Sequence, residues 1–217
     1  MHSPLDVGML MASTVHESKN RLVHLLQAIE KLQVQLADRD DPVLKDVIAS
    51  MDKDVRKLNH DLMRMLQLYS IKAGKYSLQL DSHSVAEFVE DTLDHFDQLA
   101  STRGIALEYS IDEAQVAWFD RHLLEQALST VLFNALDFTR NWIGIDTYQT
   151  PGFLVIRVCD NGAGFNEATQ AAPNSTGLGL RFAAASLAQL EKSELTGALK
   201  VFNREAGGAC VELWIPD

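Results

Sequence analysis

Between Met11 and Leu36 the apolar residues fall at Met11, Val15, Leu22, Leu25, Ile29, Leu32 and Leu36. Steps of three and four residues place them on one helix face, a coiled-coil-like stripe broken only at Ser18. Arg39-Asp40-Asp41-Pro42 ends that helix, because proline lacks an amide donor and disfavours helical backbone in the residue before it. The stripe then resumes at Leu44, Val47, Met51, Val55, Leu58, Leu62, Met65 and Tyr69. Ala73-Gly74-Lys75 closes it, with glycine where a left-handed C-terminal residue is wanted. The spacing predicts an antiparallel helical hairpin over residues 1–76. Its stripe is too long to bury against one partner helix, so two chains are expected to form a homodimeric four-helix bundle. Pairing within the chain, against the second domain, is the alternative.

Past residue 76 the period changes. Residues 85–99 read as a helix, 105–111 and 116–119 alternate as strands, and Asp120 is placed to cap a helix running to about Phe138. Residues 143–148 and 153–159 are strand candidates that lead into Asp160-Asn161-Gly162-Ala163-Gly164-Phe165. Thr176-Gly177-Leu178-Gly179-Leu180 opens a helix expected to reach about Glu191, and residues 199–203 with 209–215 close the chain as a hairpin. Residues 77–217 therefore predict an α/β sandwich, one mixed sheet covered by helices, and the whole chain is α+β.

The chain has 217 residues, 47% of them hydrophobic, enough for a real core in one large domain or two modest ones. A net charge of −11 argues against general nucleic-acid binding, whose affinity comes from lysine and arginine on phosphate. No run approaches the ~18 apolar residues of a membrane helix, and no secretory leader is recognisable, so a cytoplasmic protein without membrane insertion is expected. Cys159 and Cys210 lie in apolar strand-like runs without metal-ligand spacing, and buried reduced thiols are expected there.

The candidate chemistry lies in the two glycine stretches and in His16-Glu17-Ser18-Lys19-Asn20. Gly162, Gly164, Gly177 and Gly179 allow backbone to approach a ligand and leave amides free for phosphate oxygens. His16 supplies a nitrogen able to accept a phosphoryl group. His16 and Asn20 lie one turn apart on a helix face, with Glu17 about a quarter-turn away. The other histidines, at 2, 24, 60, 83, 95 and 122, have no comparable context.

In this order the motifs resemble the sensor histidine kinases of two-component systems over nearly the whole chain. His16–Asn20 is similar to that family's H-box, and residues 120–139, with Asn134, to the approach to its N-box. Asp160–Phe165 and Thr176–Leu180 are similar to the two glycine boxes of its ATP-binding domain, a fold shared with gyrase-type ATPases and Hsp90. The resemblance implies ATP and Mg²⁺ as cofactors. His16 is then the phosphoacceptor and Glu17 the general base. Asn134 would ligate Mg²⁺, Asp160 would accept the adenine amino group, and Gly162, Gly164, Thr176, Gly177, Gly179 and Leu180 would line the nucleotide. Glu17 and Asn20 also match the family's phosphatase pattern, in which the amide orients water against an aspartyl phosphate. The implied partners are a response-regulator receiver domain, a second copy of the chain, and a separate sensor or regulatory protein, since the residues before the hairpin are too few to fold alone. The rival readings are a dedicated response-regulator phosphatase and a phosphotransfer or binding module with weak or no kinase activity.

Four departures from the pattern carry expectations of their own. Asp137 stands where members carry a basic residue, with Arg140 as the expected compensating cation. Thr130 replaces an asparagine and is expected to substitute for it only partly. Residues 166–175 leave a short ATP lid without a phenylalanine-bearing box, which favours slow or conditional phosphorylation. Arg21 takes the place of a proline, removing a helix bend.

Overall fold

The computed structural model describes residues 7–36, parts of 41–62, 76–165 and 178–217. Two compact units divide the chain, Met1–Tyr76 and Ser77–Asp217.

In the first unit, α1 runs Val7–Leu36 as one 30-residue helix. Its stripe is only partly covered: Leu22 and Ile29 are buried, whereas Leu25 and Leu32 remain 51% and 43% exposed. Residues 43–45, 47–52 and 54–55 are also helical, with Ile48 buried. The expected terminator Ala73-Gly74-Lys75 lies outside the described residues.

The second unit begins with β1 (Leu80–Ser84), followed by α2 (Val85–Thr102), β2 (Ala106–Ser110) and β3 (Val116–Asp120). Next come α3 (Arg121–Phe138), β4 (Trp142–Thr150), β5 (Phe153–Asp160) and α4 (Leu178–Leu187). The short strands β6 (Glu191–Lys192) and β7 (Leu195–Thr196) precede β8 (Ala198–Asn203) and β9 (Ala209–Pro216). The main sheet has the order β2-β4-β5-β9-β8, with β2 parallel to β4 and every other neighbour antiparallel. Ile143, Ile145, Ile156, Val158, Leu213 and Ile215 share one face of it and are buried. Helices α3 and α4 pack against the sheet's strands, and Phe88 meets Phe119 edge-on at 5.0 Å within the same core.

The caps are written in the sequence. Ser84 Oγ accepts the Glu87 amide at the start of α2, and Asp120 Oδ1 accepts the Leu123 amide at 2.9 Å at the start of α3. The other oxygen of Asp120 accepts the Gln79 amide at 2.9 Å, so one buried carboxylate ties the entry of β1 to the head of α3. Strand β1 was not expected from its sequence, Leu-Asp-Ser-His-Ser. It exists through its antiparallel pairing with β3.

Two expectations are corrected. The helix after the second glycine box ends at Leu187, short of Glu191. Ser193 and Glu194 take positive φ and turn the chain into the β6–β7 hairpin, and a Cβ on Gly197 would meet the Leu187 carbonyl oxygen at 2.2 Å. Cys159 and Cys210, expected as free thiols, are joined in a disulfide. They face each other directly across β5 and β9 with Cα atoms 4.1 Å apart, a juxtaposition that a 51-residue sequence separation hides.

Candidate active site

Asp160 is the last residue of β5 and is paired in register with Ile143, so its side chain lies on the core face of the sheet. It is 7% exposed. Its Oδ1 accepts the Gly162 amide at 2.7 Å and the Ala209 amide at 3.4 Å, while Oδ2 has no hydrogen-bond partner among the described residues. Burial pushes the Asp160 carboxyl above the ordinary value of 3.8; the two amides and the nearby Arg204 guanidinium pull the other way without reversing it. Arg204 also donates from Nη1 to the Asp160 backbone carbonyl at 3.0 Å. A buried carboxylate with one oxygen fixed and one open can accept a hydrogen bond from an exocyclic amine.

Gly162 and Gly164 are required by the protein itself. A Cβ on Gly162 would lie 2.0 Å from the carbonyl oxygen of Phe138, so the loop after Asp160 is pressed against the C-terminal end of α3. Gly164 has φ +81°, a conformation glycine adopts without penalty. Asn134 is half-buried on α3, the helix whose end this loop touches. Gly179 and Leu180 stand in the first turn of α4, with Leu180 buried. Thr176 and Gly177 lie outside the described residues, as does the short lid.

The residues that build this loop were missed as site residues. Asn161 Oδ1 accepts from Thr139 Oγ1 at 2.9 Å and from the amides of Arg140, Asn141 and Trp142 at 3.2 Å each. Its Nδ2 donates to Asn141 Oδ1 at 2.8 Å. One side chain thus fastens the loop to the turn between α3 and β4. Asn203 clamps the far end, accepting the Phe165 amide at 2.6 Å and donating to the Phe165 carbonyl at 3.0 Å. The signal was the asparagine between Asp160 and Gly162, a residue type suited to bonding nearby backbone. Asn203 carried no such mark.

In the first unit His16, Glu17 and Asn20 lie on α1, and Glu17 and Asn20 are exposed. Arg21 donates from Nη2 to Glu17 Oε1 at 2.5 Å, one turn along. The residue that replaces a proline in the motif is therefore also a partner of the expected base.

Residues 119–217 match the model of the histidine kinase-, DNA gyrase B-, and HSP90-like ATPase family. The chain is 24% identical to the signal transduction histidine-protein kinase AfsQ2 of Streptomyces coelicolor, over 95% of this chain and 41% of that protein. It is 25% identical to the histidine-protein kinase AtoS of Escherichia coli K12, over 97% of this chain and 35% of that one. Among solved structures, the Acinetobacter baumannii histidine kinase AdeS superposes with a TM-score of 0.64 at 18% identity, covering 90% of this chain and 94% of that one. Full-length ShkA in complex with AMPPNP gives 0.70 at 17% identity, covering 96% and 45%. These two share the fold.

Residues 119–217 belong to that ATPase family, and the chain as a whole is similar to sensor histidine kinases.

It spans 41% and 35% of the length of the first two relatives named. Against this family's pattern, two departures have a structural outcome. The cation that meets Asp137 is Arg103, at the C-terminal end of α2, with Nη1 3.5 Å from Oδ1. The backbone amide of Arg140, the expected compensating residue, donates to Asn161 Oδ1 at 3.2 Å. The Thr130 hydroxyl is buried and donates to the Gln126 carbonyl at 2.7 Å, one turn back in its own helix, so its proton is not available to a ligand.

Proposed function

We propose that this histidine kinase binds ATP with Mg²⁺ in the second unit, phosphorylates His16 and passes the phosphoryl group to an aspartate of a response-regulator receiver domain. One observation carries the reading: the buried Asp160 carboxylate, held through Oδ1 and without a partner at Oδ2 among the described residues, beside a glycine loop that leans on the helix bearing Asn134. Asp160 accepts the adenine amino group, and Gly162, Gly164, Thr176, Gly177, Gly179 and Leu180 would line the nucleotide, the Gly162 amide itself being held by Asp160 Oδ1. Asn134 supplies a neutral oxygen to Mg²⁺. Among the described residues no group of three His, Cys, Asp or Glu could hold a metal. When bound with ATP, Mg²⁺ would offset the triphosphate charge, with Asn134 as the residue that would hold it.

In the transfer, a ring nitrogen of His16 attacks the γ-phosphorus, ADP leaves, and Glu17 takes the proton from the other ring nitrogen. The reverse duty, hydrolysis of the regulator's aspartyl phosphate, falls to Asn20, which orients the water. The apolar residues left exposed on the first unit, Leu25 and Leu32 with Val47 and Met51, support a homodimer through this unit. No helix among the described residues is long and apolar enough to cross a membrane.

Incubation with γ-labelled ATP and Mg²⁺ tests the proposal. Acid-labile label on the wild type, absent in His16→Gln and chased onto a receiver domain, is the expected result. No label under any metal or partner condition contradicts it. A dedicated phosphatase is favoured by one observation, the Thr130 hydroxyl turned onto its own helix where the family carries an amide. On that reading regulator dephosphorylation survives His16→Gln and disappears in Asn20→Ala.

A further inference from the structure

The Cys159–Cys210 disulfide lies in a domain that works on ATP, and ATP is abundant where thiols are kept reduced. Disulfides in that compartment are commonly transient or redox-sensing rather than structural. Its position gives it something to control. Cys159 immediately precedes Asp160, and Cys210 immediately follows Ala209, whose amide donates to Asp160 Oδ1. The bond thus locks together, one residue away, the two backbone segments that hold the candidate adenine acceptor. The pairing alternates across the strands, so the sulfurs lie on the sheet face opposite Asp160. There they line a cleft of about 520 Å³ together with Trp142, Arg157, Phe202 and Arg204. Cys159 is 9% and Cys210 3% exposed, so a small thiol or disulfide would approach from this cleft, on the face away from the nucleotide site.

We propose that Cys159 and Cys210 form a reversible thiol–disulfide site that sets the affinity of the second unit for ATP, an inference that rests on the ATP reading of Asp160. Oxidation proceeds by exchange with a small disulfide such as oxidised glutathione. The Cys159 thiolate, the more exposed of the two, attacks one glutathione sulfur and expels a glutathione thiolate. The Cys210 thiolate then attacks Cys159 Sγ and expels the second, and the two cysteine protons go to the departing thiolates. Two glutathione thiols balance the one protein disulfide formed. In the oxidised form the covalent link holds the Ala209 amide on Asp160. Reduction frees β9 to shift against β5 at that point, so the long 3.4 Å contact is the first to lengthen.

The test uses the full chain, whose cysteines number two. After oxidised glutathione and desalting, denaturing alkylation with N-ethylmaleimide should add nothing, and after dithiothreitol it should add two adducts. Titration with MgATP should give about fivefold weaker binding in the reduced form. Cys210→Ser should bind like the reduced wild type under both conditions. Two adducts after oxidation, equal affinities in the two forms, or tighter binding on reduction would each overturn the proposal. If neither form binds ATP, the ATP reading fails by itself. Hydrogen exchange at the Gly162 and Ala209 amides then decides the coupling: slower exchange in the oxidised form upholds it, and equal exchange overturns it.

Discussion

The two units differ in how far they cover their apolar residues. The second unit closes a core, with Phe88, Phe119, Leu124, Leu154, Ile156 and Leu213 fully buried, although Val116 and Trp118 stay exposed. Among its described residues the first buries Leu22, Ile29 and Ile48 but leaves Val34 at 77% and Val43 at 72% exposure beside Leu25 and Leu32. A sheet and its helices close a core within one chain, whereas an amphipathic hairpin has a second face to satisfy. The second unit thus closes its core within one chain, and the exposed apolar residues of the first are the ones the proposed dimer would cover.

The difference can be broken from either side. Phe88→Ala removes a ring from the closed core and should cost about 3–5 kcal/mol, seen as a lower midpoint for the second unit's transition with the dimer intact by light scattering. Leu25→Asp with Leu32→Asp should do the converse, raising the dimer's Kd about 100-fold in sedimentation while that transition stays in place. Gly162→Ala forces a methyl against the Phe138 carbonyl, 2.0 Å from its ideal position. It should cost about 2 kcal/mol of second-unit stability and weaken MgATP binding.

Asp160→Asn separates function from stability. Its binding of MgATP should fall about tenfold, because a charge-assisted acceptor is lost. Its stability should rise, with a pH dependence of fixed sign. The folded carboxyl titrates above 3.8, the ordinary value. Wild type and variant are therefore matched below that pH, and the wild type loses ground as pH rises through the folded value. Thermal midpoints measured across pH 3 to 7 check this; a gap that widens toward acid contradicts it. The smallest effect belongs to Arg21→Ala. The Arg21–Glu17 pair has side chains 76% and 65% exposed, so the helix should lose less than about 0.5 kcal/mol by circular dichroism.

Legibility followed the same division. Elements whose signal is local were readable: the stripe of α1, the Asp120 cap, the alternation of β2 and β3, and the apolar runs of β4, β5 and β9. Features made by distant partners were not. Leu80–Ser84 has no strand pattern and becomes a strand by lying beside β3. The early end of α4 is set by Gly197 tucking under Leu187. Arg103 reaches Asp137 from another helix, and the cysteine pair appears only once β5 and β9 are in register. In the candidate site, Asp160 and its glycines announced themselves through their spacing. Asn161 and Asn203, which hold that loop in shape, act through backbone whose position the fold alone determines.

Whether Asp160 holds ATP in the second unit is decided by calorimetric titration of the full chain with MgATP. The wild type should show saturable one-site binding, about tenfold tighter than Asp160→Asn. Equal affinity in the two proteins, or no binding by a wild type with a cooperative second-unit transition, would contradict it.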